Sequence, residues 1–268
     1  MAWYGAIVFL TSAGALVVEI VAARLVAPYA GSSLYTWTAI IAAVLAGLSV
    51  GHWIGGRLAG PEVDARRGER RMAAALALAG LSSIGALALL RLLADAAARS
   101  SVGAFVAVTL LGAVLFFAPS LFAGIVSPIA TKLAVDLDPR RTGPAIGTMS
   151  AAGAVGSILG TVLAGFVLVQ WLGSSATLIW TAALYAALAV VLVATRPRTL
   201  VLVAPAIAVA AIAAPRLAAP CQVESAYYCI NVLPGNAVSG RESRFLMLNQ
   251  LMHSHADRDD PGRLLLGY

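Results

Sequence analysis

Apolar residues do not alternate with polar ones over the first two hundred positions. They run in blocks of about 17 to 25, the length an α-helix needs to cross a hydrocarbon core of about 30 Å. Seven blocks are legible, near 4–27, 35–58, 72–93, 103–131, 144–170, 175–195 and 199–215. The fourth and fifth are long enough to tilt or break. A kink is expected at Pro119 and Pro128, because proline removes a backbone donor and crowds the preceding turn. The seventh, TLVLVAPAIAVAAIAAP, is the shortest and carries Pro205. After Pro220 the pattern becomes one of alternation. In SAYYCINV, Tyr228, Ile230 and Val232 fall on one side and Tyr227, Cys229 and Asn231 on the other. RFLMLN alternates likewise, and LPGNAVSGRES between them supplies turn residues, which predicts a β-hairpin with a long connection. The chain therefore reads as an all-α polytopic membrane bundle of about seven transmembrane helices (1–216), followed by a short β-hairpin stub (217–268). A lone hairpin is marginal in water and so short a tail holds little core. The stub is expected to pack on the bundle, on a partner or on a further domain.

Composition agrees with a bilayer as the main solvent. Charged residues make up 11% of the 268 positions, against about 25% in a soluble domain, and the mean hydropathy is +0.90. The net charge of +6 is almost entirely arginine, Lys132 being the sole lysine. No basic stripe interleaved with aromatics accompanies it, so nucleic acid is not an expected partner. The N-terminus lacks the basic leader of a signal peptide and carries Glu19 and Arg24, so it reads as the first span. Loop arginines set the orientation. Arg57, Arg66, Arg67, Arg70 and Arg71 flank the second connection; Lys132, Arg140 and Arg141 flank the fourth; Arg196 and Arg198 flank the sixth. The alternate loops hold only Arg91 and Arg99. This predicts a multi-pass inner-membrane protein with a cytoplasmic N-terminus and, after seven spans, an extracytoplasmic tail.

The two cysteines, Cys221 and Cys229, both lie in that tail, as an oxidising compartment allows. On one straight strand they would stand roughly 26 Å apart, beyond disulfide reach. Either the chain bends between them and they pair, or they are two packed thiols. Within the spans, Gly47, Gly51 and Gly55 and then Gly156 and Gly160 recur at helical spacing and read as close helix packing inside the bundle, with a homodimer interface as the alternative. Glu19 and Arg24 are the main ionisable residues in a span, expensive there unless paired or hydrated. They lie about 140° apart around the helix. Arg24 is near enough to the outer end to snorkel, whereas Glu19 calls for a proton, a partner on another helix or a polar cavity. His52 sits near the cytoplasmic end of the second span. His253 and His255 share a strand face beside Asp257, Asp259 and Asp260, too weak a pattern to assign a metal. No Walker loop, nucleophile elbow or zincin helix occurs.

Several stretches carry a resemblance. ESAYYCINV, RFLMLNQLMHS and DDPGRLLLGY follow the opening β-region of the spermidine synthase (polyamine aminopropyltransferase) family, over about 45 residues. VVEIVAARL, GLSVGHWIGGRLA and GAVGSILGTVLAGFVLVQWLG resemble the spans of its membrane-fused branch. The resemblance implies polyamine chemistry, with Tyr227, Tyr228, His253 and Tyr268 near a substrate. Asn249-Gln250 stands where the family usually has Asp-Gly, and His253 where it has Gln. The glycine-rich loop for decarboxylated S-adenosylmethionine and the aspartate that takes the amine's proton are not in these 268 residues, so no catalytic residue is assigned. The chain alone is expected to be inactive, its tail the entrance to a synthase domain cut away, and its partners the bilayer and that domain or a partner subunit. The family's donor is made in the cytoplasm, whereas the arginines place the tail outside. A second resemblance, of GGRLAGPEVDARRGERR to a loop of major-facilitator transporters, implies a transporter module instead. Topology-setting charge is the simpler reading of those arginines.

Overall fold

A computed structural model describes residues 1–98, 103–193, 221–225, 227–238, 241–260, 262 and 264–265. Among them are α1 (Ala2–Ala30), α2 (Leu34–Leu58), α3 (Ala65–Ala98) and α4 (Ala104–Leu137). After a 3-10 turn at Pro139–Arg141 come α5 (Thr142–Leu163), a π-helical turn at Ala164–Leu168, α6 (Val169–Leu172) and α7 (Ser174–Val193). With 139–172 counted as one crossing, six helices are long and apolar enough to span a membrane. The seventh expected span, 199–215, lies outside the described residues. The long fifth crossing stays helical, widening into a π-helical turn at Ala164–Leu168, and α4 runs continuously through Pro119 and Pro128. The α3 helix begins earlier than its apolar run because Asp64 caps it, accepting from the Arg67 N–H at 2.8 Å.

Missing side chains bring the helix backbones together. A Cβ on Gly47, Gly51 or Gly55 would stand 2.5, 2.1 or 2.5 Å from the carbonyl oxygens of Phe117, Leu121 and Ile125 on α4. Gly156 and Gly160 press equally closely on Phe9 and Ala13 of α1. Both glycine faces are therefore occupied within the chain. Gly14 serves a different purpose, leaving room for the fully buried Tyr185 of α7. Successive crossings alternate in direction, and the arginine-bearing connections after α2 and α4 meet at one end. Tyr4 at the start of α1 donates to Glu69 at the start of α3 (3.1 Å), Arg71 donates to the Leu58 carbonyl, and Lys132 donates to the Val63 carbonyl.

The tail is more than a hairpin. Strands β1 (Val223–Glu224), β2 (Cys229–Val238), β3 (Arg241–Leu248) and β4 (Leu251–Asp257) form one antiparallel sheet in that order. The turn expected over LPGNAVSGRES is corrected: Pro234 and Gly235 pair with Arg244 and Ser243 as strand residues, and the register shifts between Gly235 and Val238. A Cβ on Gly235 would meet the Ser243 hydroxyl at 2.4 Å and the Phe245 ring at 2.8 Å. That glycine is therefore where two strands close on each other, not where one ends.

Candidate functional site

The sheet docks on the end of the bundle opposite the arginine loops. Its β3–β4 turn is the pair Asn249-Gln250, with Asn249 at φ 54°, a left-handed conformation that asparagine tolerates in two-residue hairpin turns. The Asn249 carboxamide accepts from the Cys229 N–H (2.9 Å) and donates to the Ser32 hydroxyl (2.8 Å). Gln250 Nε2 donates to the Pro28 carbonyl at 2.6 Å.

At the other edge, β1 carries Glu224 into a charged junction. Its carboxylate lies 3.6 Å from the Arg24 guanidinium, with both side chains largely buried at 15% and 13% exposure. It also accepts from the Ser174 N–H at 3.1 Å and from the Ser174 hydroxyl. Ser174 opens α7, so the carboxylate sits where free N–H groups and the helix dipole favour an anion. Gly173, at φ 80°, leaves space for it: a Cβ there would stand 2.9 Å from Glu224 Oε2. Arg24 donates in addition to the Ser225 carbonyl (2.6 Å). Beside this group, Arg91 at the end of α3 donates to the Tyr29 hydroxyl (3.0 Å) and the Ser175 hydroxyl (2.9 Å). The cleft lined by Arg24, Arg91, Ser174, Glu224 and Asn249 has room for about one water molecule. It is a joint between two bodies, tight and polar.

Near the outer end of its span, the Arg24 guanidinium turns onto Glu224, two hundred positions along the chain. Glu19 Oε2 is buried and has no hydrogen-bond partner among the described residues. Cys221 and Cys229 are joined in a disulfide with Cα atoms 5.2 Å apart. The bend this requires is the turn Ser225–Tyr228, where Ser225 N–H donates to the Tyr228 carbonyl (2.9 Å). Tyr227 and Tyr228 project from that turn, exposed, with ring centroids 6.5 Å apart. His253 is the extra residue of a bulge in β4 and is exposed. His255 is buried on the Phe245 ring at 4.2 Å. The strand order and register put the backbones of Tyr228 and His253 roughly 14 Å apart, so these residues are not gathered into one pocket. Tyr268 lies outside the described residues. Asp257 accepts from the Asp259 and Asp260 N–H groups at 3.0 and 3.4 Å, so it caps the acidic turn. No group of three or more His, Cys, Asp or Glu able to hold a metal ion occurs among the described residues.

Sequence reasoning does not single out Glu224, Ser174, Arg91, Asn249 or Gln250 as a joint. The signals available are a lone glutamate opening the alternating tail and a lone arginine, Arg91, at the sparsely charged end of a span. Neither protein-family models, nor curated proteins, nor solved structures give a significant match to this chain.

Proposed function

We propose that the chain is the membrane-embedded portion of a spermidine synthase-like protein, with its N-terminus in the cytoplasm and its sheet on the extracytoplasmic face of the inner membrane. In this reading the bundle is a platform that holds the first strands of a polyamine-handling domain at a fixed position over the bilayer. One observation carries it. The stretches that bear the resemblance meet at one point: VVEIVAARL supplies Arg24, ESAYYCINV supplies Glu224 and Ser225, and the span ending in VLVQWLG supplies Gly173, next to Ser174. The departure from Asp-Gly also acquires a role, because Asn249 and Gln250 both reach the bundle. The orientation is supported by the disulfide and the arginine-rich connections lying at opposite ends of the same bundle.

The family reaction needs a base within hydrogen-bond reach of the attacking amine and a positioned sulfonium donor. The donor loop and that aspartate are not in the 268 residues, so aminopropyl transfer is not assigned to this chain alone. The close packing of α2 on α4 and of α1 on α5 weighs against the transporter module. Two measurements test the proposal. A membrane-impermeant maleimide applied to intact cells after an impermeant reductant is expected to label Cys221 and Cys229; labelling only after the membrane is opened overturns the orientation. Purified protein in nanodiscs is expected to bind putrescine or spermidine in calorimetry. Absence of diamine and polyamine binding overturns the polyamine reading, and saturable polyamine uptake into proteoliposomes replaces it with the transporter.

A further inference from the structure

Among the described residues the sheet is tied to the bundle in two places, and the ties differ in what supports them. The Asn249-Gln250 turn belongs to β3 and β4, which are seven or more residues long and paired along most of their length. Glu224 sits on β1, which has two residues and pairs with β2 only through Val223↔Ile230 and Glu224↔Cys229. A strand that short has little ladder of its own. It is held by Gln222, whose N–H donates to the Asn231 side chain (2.8 Å) and whose amide meets the Val232 backbone (2.9 and 3.0 Å), and by the disulfide from Cys221 to Cys229. Cys229 is also the register partner of Glu224. The covalent link therefore closes the short loop that delivers the carboxylate to Arg24 and to the first turn of α7.

We propose that Cys221–Cys229 is a redox latch on the junction between sheet and bundle. Closed, it keeps β1 on β2 and Glu224 in its seat. An external dithiol opens it: one thiolate attacks a disulfide sulfur, Cys221 being the more exposed, and forms a mixed disulfide. The second thiolate then closes the reductant's own disulfide. Two electrons pass to the protein and two protons end on the Cys221 and Cys229 thiols. Without the cross-link the loop regains its freedom, β1 leaves the edge of the sheet, and Glu224 leaves Arg24 and Ser174. The contacts of Asn249 and Gln250 with the bundle stay in place. The latch follows from the contacts around β1 and does not depend on the family reading above.

Hydrogen exchange on the full chain in nanodiscs tests it, comparing the oxidised protein, the protein after dithiothreitol and the C221S/C229S double variant. Reduction is expected to speed exchange at residues 173–177 and 221–224 by about tenfold or more, the loss of hydrogen bonds to a charged acceptor. Protection in β3 and β4 is expected to persist, and reoxidation to restore the first state. In the oxidised protein E224A, which removes the acceptor, should expose the Ser174 amide while residues 221–224 stay protected. Unchanged exchange at Ser174 after reduction overturns the latch. So does collapse of protection across 229–257, which makes the disulfide a staple of the whole sheet, and so does a protected Ser174 amide in E224A.

Discussion

Where α2 meets α4 the chain brings two backbones together by removing side chains; where the sheet meets the bundle it does so by burying charge. Gly51 has the Leu121 carbonyl so near that not even a methyl group fits. In lipid, where apolar surface gains little by leaving its solvent, such close backbone approach is what gives helices a reason to associate. At the junction the partners are Arg24, Glu224, Ser174, Asn249 and Ser32, at the level where helix ends leave N–H and C=O groups unpaired. The first kind of contact tolerates no added atom and is indifferent to charge. The second tolerates changes of size and depends on each polar partner having its complement. The helices are thus locked by shape, whereas the sheet is held by a few specific bonds that chemistry can release.

The largest expected effect comes from filling the glycine face. G51V should destabilise the bundle by about 3 kcal/mol, the upper range for overpacking, visible as loss of the folded fraction in a detergent-denaturation series. Five positions on, a methyl group added to Gly56 would meet nothing within 4 Å, and G56A should change stability by no more than about 0.5 kcal/mol. Equal effects at the two sites would remove the close-packing account.

Next comes the charged joint. E224A should weaken docking of the sheet by about 2 kcal/mol, because it takes the carboxylate away from a largely buried guanidinium and from the first N–H of α7. Limited proteolysis of the tail reads this directly. The R24Q/E224Q double variant should lose less than the two single changes together, and strict additivity would deny the coupling. N249A is smaller again, about 1 kcal/mol for the bridge from Cys229 to Ser32. N249G should lose the same bridge but keep the turn, since glycine accepts its left-handed backbone. At the bottom of the scale, Arg258 pairs with Glu242 on the exposed face of the sheet. R258A should leave the thermal midpoint where it was, as exposed pairs contribute little.

The legibility of these features in the sequence follows the range of the interactions. Six helices are legible because a span is a local demand: about twenty apolar residues in a row, whatever they touch. Their ends are less so. Asp64 carries α3 back over polar residues, and the fifth crossing contains a π-helical turn that apolarity does not report. In the tail, Pro234 and Gly235 look like a turn because those residues usually make one. Only the opposing Ser243 and Phe245 show that the glycine is there to let strands close. β4 does not separate from what precedes it, since its bulge at His253 spoils the alternation by which a strand is recognised.

What the sequence determined by itself was the solvent of each segment and the kind of element that solvent permits: helices where water is absent, alternating strands where one face is wet. It determined, too, that close helix contacts would fall on Gly47, Gly51, Gly55, Gly156 and Gly160, because small residues at helical spacing have that use. Which helices those faces meet, and that Arg24 finds Glu224 across two hundred residues, only the tertiary structure decided. A salt bridge leaves no periodic trace in a chain. It exists because the folded bundle brings the end of α1 and the start of α7 to one spot, and a disulfide-closed loop delivers a carboxylate to it.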